Sequence, residues 1–260
     1  MSAESKKTDR VLVEVTIAAP IETVWAAVRE PEQIRRWFGW DADTLKDEID
    51  FIFVSHAHGS EDARTLQFGE YEGNADRFEL EARGASTALR VVRSGPVSAT
   101  DWENVYEDVT EGWITFVEQL RLALEKHPGA ERRTIYLSGK AIAGQAPPSH
   151  ALDVARLRDA GPGPTYTAQA TTGDTLTGTV WHQSAFQLGM AVEQWGDGLL
   201  VVTDKPASIT APHGGGSVLL TTYGLDEEAF QALQTRWTTW WASRYPSAPQ
   251  PGESGEVPAV

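Results

Sequence analysis

The stretch VLVEVTI puts Val11, Val13, Val15 and Ile17 on one face of an extended chain, the period-two pattern of a half-buried strand. Pro20 then stands where a helix can begin, and IETVWAAV follows it. Glu30-Pro31 interrupts that helix, because a residue before proline avoids the helical region, and a second short helix is expected through EQIRRWF. Short strand-like runs come next: IDFIFV with Ile49, Phe51 and Phe53 on one face, RFELEA with Phe78 and Leu80 inward, and TALRVV with Thr87, Leu89 and Val91 together. Their spacing and turn residues predict an antiparallel meander. The period then changes to that of a helix: in VTEGWITFVEQLRLALEKHPG, Trp113, Phe116, Val117, Leu120 and Leu124 form one apolar stripe. Pro128-Gly129 ends that helix and marks a domain boundary.

The remainder repeats this outline. TIYLSG reads as a strand, SHALDVARLRDAGPG as a short helix with Ser149 as N-cap, and TLTGTVWH, AFQLGMAV, GLLVVTD and GSVLLTTYG as strands. The closing helix, LDEEAFQALQTRWTTWWASRY, sets Phe230, Leu233, Trp237 and Trp241 at the same spacing as Trp113, Phe116, Leu120 and Leu124. One constant offset relates the two stripes, as expected for like domains in tandem. The expected division is a tail over 1–9, one domain over 10–129, a second over 130–245 and a tail over 246–260. Both tails are rich in Ser, Pro, Gly and charge, a composition that predicts disorder.

Composition narrows the function classes. The 260 residues carry a formal charge of −15, which disfavours nucleic acid and anionic membranes and leaves neutral, cationic or protein partners. No cysteine is present, so disulfides, thiolate nucleophiles and Cys-ligated metals are closed. The start, MSAESKKTDR, has no apolar leader core and no later segment approaches a membrane span, so a cytoplasmic protein is expected. Ten tryptophans are many for this length and can line a cavity as well as fill a core.

Catalytic signatures are weak. The run IDFIFVSHAHGSEDA resembles the metal-binding turn of metallo-β-lactamase-type hydrolases, His-X-His-X-Asp-His, but Ser60 and Glu61 stand where the Asp and last His belong. Half the donor set for a two-metal site is therefore missing. A single ion on His56, His58 and Asp62 is disfavoured too, and His127, His150, His182 and His213 form no second cluster. His56 to Ser60 instead reads as a polar turn leaving a strand. There is no nucleophile elbow or phosphate loop, and Gly214-Gly215-Gly216 reads as a hairpin turn. Glu227 and Glu228 suit the first turn of the last helix. An acid/base pair of His182 and Glu193 fails on strand parity, because His182 shares a face with Val180 and Leu176 while Glu193 falls opposite Val192 and Met190. No catalytic residue, metal or cofactor is assigned.

Several segments carry a family resemblance. IAAPIETVWAAVREPEQIRRWFGWDA, ASTALRVVRSG and EGWITFVEQLRLALE resemble the START-like (SRPBCC) superfamily, in its branch similar to activators of chaperone ATPase. The cassette Ala19-Pro20, Val24-Trp25, Pro31-Glu32 and Trp37-Phe38 is the specific part. The second half lacks the Pro-X-X-Ile-X-X-Trp helix, and its assignment rests on GLLVVTD, GGGSVLLTTYGLDE and the last helix. The Ala, Gly and Trp-rich composition and HGGGSVLLTTYGLDE are also similar to START-like proteins of actinomycete natural-product clusters, including the calicheamicin and dynemicin enediyne pathways.

The resemblance implies an α+β chain of two tandem helix-grip domains, each a curved antiparallel sheet wrapped round a long C-terminal helix with a cavity for an apolar ligand. Candidate ligand-binding residues are Trp37, Phe51, Phe53 and Trp113 in the first half, and Trp181, Trp195, Tyr223 and Trp237 in the second. The expected function is binding of a hydrophobic, polyketide- or enediyne-like metabolite for biosynthesis or self-protection. Two alternatives stay open: a polyketide cyclase using the same cavity, and a chaperone co-regulator acting through a protein partner.

Overall fold

The computed structural model describes residues 8–71, 73–95 and 104–246. Most of the two tails expected to lack order therefore lies outside the described residues. The chain divides into two compact units, Met1–Arg132 and Arg133–Val260.

In the first unit, β1 (Thr8–Ile17) leads into α1 (Ile21–Arg29), α2 (Pro31–Ile34) and α3 (Leu45–Ile49), the last continuing as a π-helix over Asp50–Ser55. Four strands follow, β2 (Ala57–Ser60), β3 (Thr65–Tyr71), β4 (Asn74–Arg83) and β5 (Ser86–Gly95), and then α4 (Asn104–Lys126). The sheet order is β1-β5-β4-β3-β2, antiparallel throughout. The first strand thus pairs with the last, and the meander runs back from there. Trp113, Val117, Leu120 and Ala123 of α4 bury themselves against Val15, Ile17, Phe78, Leu80, Leu89 and Val91 of the sheet. This is a sheet gripping its C-terminal helix. Alternation along β4 and β5 survives as expected, but a bulge between Val11 and Val13 breaks it in β1, leaving Val11 53% exposed.

The second unit repeats the topology. β6 (Arg132–Lys140) precedes α5 (Pro148–Ala151) and a 3-10 turn (Ala155–Ala160), then β7 (Thr165–Gln169), β8 (Thr175–Gln183), β9 (Gln187–Val192), β10 (Gly198–Lys205), β11 (Gly215–Tyr223) and α6 (Glu227–Ala242). The order β6-β11-β10-β9-β8-β7 again places the first strand beside the last. Phe230, Leu233, Trp237 and Trp241 of α6 pack on Leu200, Val202, Val218 and Leu220. Asp226 caps α6 by accepting from Ala229 N at 2.8 Å, and Glu227 and Glu228 occupy its first turn. The chain is α+β, two tandem helix-grip domains.

Several local expectations are corrected. IDFIFV is helical, not a strand: Leu45, Ile49 and Phe53 recur at a spacing of four and are all buried, a helical stripe that outweighs the alternation of Ile49, Phe51 and Phe53. Ala57–Ser60 is an edge strand paired with β3, and not a turn. Ser149 does not cap α5. Pro147 holds that position, while the Ser149 hydroxyl donates to Asp204 at 2.5 Å from inside the helix.

Glu193 lies in a 3-10 turn, Glu193–Trp195, and not on a strand. His182 does not share a face with Val180, because a bulge pairs Val180 with Met190 but His182 with Gly189, its neighbour on the opposite face of β9. The glycine run is also more than a turn. Gly215 and Gly216 lie within β11, where an added Cβ would come 2.3 Å from Gly139 O and 2.1 Å from Thr203 O, so close backbone approach demands glycine.

Candidate functional site

The interior of the first unit is a connected set of aromatic rings. Trp37 and Phe38, at the end of the short helical stretch after α2, contact one another at 5.9 Å between ring centroids and each meets Phe53, at 5.8 and 4.8 Å. Phe53 meets Phe68 of β3 edge-on at 5.4 Å. Phe68 in turn meets Phe78 of β4 at 4.9 Å and Trp113 of α4 at 5.1 Å. Phe116, one turn along α4, lies 4.8 Å from Phe38 and 6.3 Å from Trp40. These separations are those of favourable edge-to-face and tilted pairs. Every ring of the set therefore has at least one other ring against it.

Both ends of the cluster are fastened by polar groups. At one end, Trp37 Nε1 donates to Ala27 O at 2.9 Å, and Arg132 donates to Phe38 O, to Gly39 O at 3.0 Å and to Gln119. At the other, Asp76 and Arg93 face one another across β4 and β5 on the same inward face as Phe78 and Val91. Arg93 holds both Asp76 oxygens, at 2.7 and 2.8 Å, and reaches Thr110 at 3.4 Å. Trp113 Nε1 donates to Asp76 Oδ2 at 2.8 Å. A buried charge pair thus adjoins the apolar interior, with three N–H donors on its carboxylate.

Trp37, Phe53 and Trp113 are brought together in this one interior. Phe51 is not: it is 61% exposed and packs against His56 with ring centroids 4.0 Å apart, because two residues of helical turn place it on the other side of the segment from Phe53. In the second unit Trp195 and Trp237 meet edge-on at 5.7 Å, and Trp237 Nε1 donates to Asp174 at 2.9 Å. Trp181 and Tyr223 stand outside that unit's main core cluster. Trp181 is half-buried beside the β8 bulge, and Tyr223 alternates with Val218, Leu220 and Thr222 along β11. Phe38 and Phe116, noted in the sequence only in the family cassette and the helical stripe, join this interior, as do Phe68 and the pair Asp76–Arg93, which the sequence did not single out. Leu66 and Phe68 alternate in TLQFGEY, so β3 carried a readable strand signal.

The two histidines of SHAHGSED do not converge on a common site. His56 Nδ1 lies 2.8 Å from Phe51 O, and His58 lies on the edge strand. Among the described residues no three His, Asp or Glu side chains converge to hold a metal ion, and no helix is long and apolar enough to cross a membrane.

Burial, as its OH donates to Ala146 O, pushes the Tyr245 phenol up to about 12. Burial also raises Tyr166 above the ordinary phenol range, its OH donating to Ala191 O at 2.8 Å. Both groups belong to the second unit's packing.

No family model matches the chain, and no curated protein does. Among solved structures the chain is similar to DynU16, a protein of the dynemicin biosynthetic locus, at 21% identity over 91% of this chain and 95% of that one, with a TM-score of 0.33. It is similar to the di-domain ARO/CYC StfQ of the steffimycin pathway, at 11% identity over 89% and 91% with a TM-score of 0.34. It is also similar to BH1534 of Bacillus halodurans, at 26% identity over 46% of this chain and 99% of that one, with a TM-score of 0.34.

Proposed function

We propose that the first unit binds an apolar, planar small molecule of the polyketide or enediyne kind between its sheet and α4, in the service of biosynthesis or self-protection. The observation that carries the reading is the ring cluster itself. Seven aromatic side chains from α4, the strands and the 37–53 segment meet in one interior, and a charged pair with a tryptophan N–H lies at one end. Mostly apolar walls with a few convergent polar groups are what small-molecule sites use.

A flat ligand would exchange ring contacts for ring contacts. Its binding free energy would come from apolar area removed from water, at roughly 25 cal/mol per Å². The sequence resemblance to START-like proteins supports the same interior as the binding place. A thermal-shift series with planar polyaromatic and enediyne-like compounds tests the reading. A saturable rise in the midpoint that depends on ligand concentration is expected, and a flat response across the panel would remove the basis for a binding role.

A further inference from the structure

The π-helix Asp50–Ser55 stands between the ring cluster and solvent, and we propose that it is the gate through which ligand enters the first unit, with Phe53 as its plug. The inference rests on the binding reading above.

Three observations support it. First, Phe53 alone of this segment enters the ring cluster. It touches Trp37, Phe38 and Phe68, while Phe51 and Val54 are 61% and 55% exposed. Withdrawing Phe53 would open a gap of one phenyl ring lined by those three, and Phe68 connects that gap to Trp113.

Second, the segment is π-helical, with the looser hydrogen-bond ladder that recurs at functional sites. It follows the ordinary helix α3, which buried Leu45 and Ile49 anchor to the core on the N-terminal side of the segment.

Third, the flanking hairpin is fixed on its far side. Glu61, in the β2–β3 turn, accepts from Trp25 Nε1 at 2.6 Å, and Arg64 pairs with Glu22 at 2.6 Å and lies over the Trp25 ring. In the proposed opening, the β2–β3 turn stays in place and the π-helix with its junction to β2 moves. An open state populated at about 0.1–10% would be enough to admit ligand, because binding draws on the minor conformer.

A reversible lock tests the gate. A Cβ built on Gly69 lies 3.5 Å from His56 Cβ, inside the separation a disulfide requires, and the protein has no cysteine to interfere. The double variant His56→Cys/Gly69→Cys would tie the end of the π-helix to β3. With N-phenyl-1-naphthylamine as probe, stopped-flow association by the oxidised form is expected to be at least tenfold slower than by the reduced form, with reduction restoring the rate.

Equal rates in the two forms, with the disulfide verified by mass, overturn the gate and leave the binding reading intact. Absence of binding by reduced and unsubstituted protein overturns both. Phe53→Leu gives an independent arm that needs no cross-link: a shorter plug should speed association severalfold, and an unchanged or slower rate counts against the gate.

Discussion

Trp113 Nε1 and Asp76 Oδ2 lie 2.8 Å apart, joining the gripped helix to the inner face of the sheet through a carboxylate that Arg93 also holds by both oxygens. The Asp76 and Arg93 side chains are 12% and 8% exposed. Replacing Asp76 by alanine leaves a buried guanidinium and an indole N–H without their acceptor. The expected cost is ~3–5 kcal/mol, the range for removing one partner of a buried pair. Asp76→Asn, which keeps an acceptor oxygen, should cost less. Denaturant unfolding of the two variants beside the parent measures both, and a loss below about 1 kcal/mol for alanine would show that the pair contributes little.

Phe51 and Phe53 separate helix from strand by energetics. On a strand both would face inward, whereas here Phe53 is 5% exposed and Phe51 61%. Phe53→Ala should cost ~3–5 kcal/mol as a large-to-small core change. Phe51→Ala should stay within roughly 0.5 kcal/mol, as surface changes do. Similar losses at the two positions would contradict the helical assignment.

Gly216 tests why the glycine run exists. An added Cβ would sit 2.1 Å from Thr203 O and 2.6 Å from a Pro148 ring carbon. Gly216→Ala should therefore destabilise the second unit by ~1–3 kcal/mol through forced displacement of backbone. A neutral alanine variant would mean that β10 and β11 yield more easily than their pairing implies.

The raised phenol of Tyr245 gives a pH dependence with a definite sign. Its neutral form is favoured in the fold, because burial holds its pKa at about 12 against an ordinary value of 10.0. The contribution is complete below pH 10 and is lost as pH rises from 10 towards 12. Thermal unfolding midpoints should fall over that window, and Tyr245→Phe should make the fall shallower. Tyr166, shifted in the same direction by burial, keeps part of the slope in that variant.

Much of the architecture was legible in the chain. The two helical stripes led by Trp113 and Phe230, and the alternation of Phe78, Leu80, Leu89 and Val91, report burial that propensity and period alone can reveal. What failed was local. In IDFIFV a two-residue and a four-residue period share Ile49 and Phe53, and only the Leu45 contact decides between them. At His182 a single bulge reversed the parity on which face assignment depends. Asp76 and Arg93 lie seventeen residues apart, and their pairing follows from β4–β5 register, which no spacing rule supplies.

Uptake of an apolar ligand by the first unit's ring cluster would register in the indole N–H signals of the ten tryptophans. They are to be assigned by single Trp→Phe variants and followed by two-dimensional NMR during titration with a planar polyaromatic compound. Saturable shifts of the Trp37 and Trp113 resonances, with those of Trp195 and Trp237 unmoved, are the expected result. No shift at Trp37 and Trp113 at saturating ligand, or shifts confined to Trp195 and Trp237, would contradict ligand binding in the first unit.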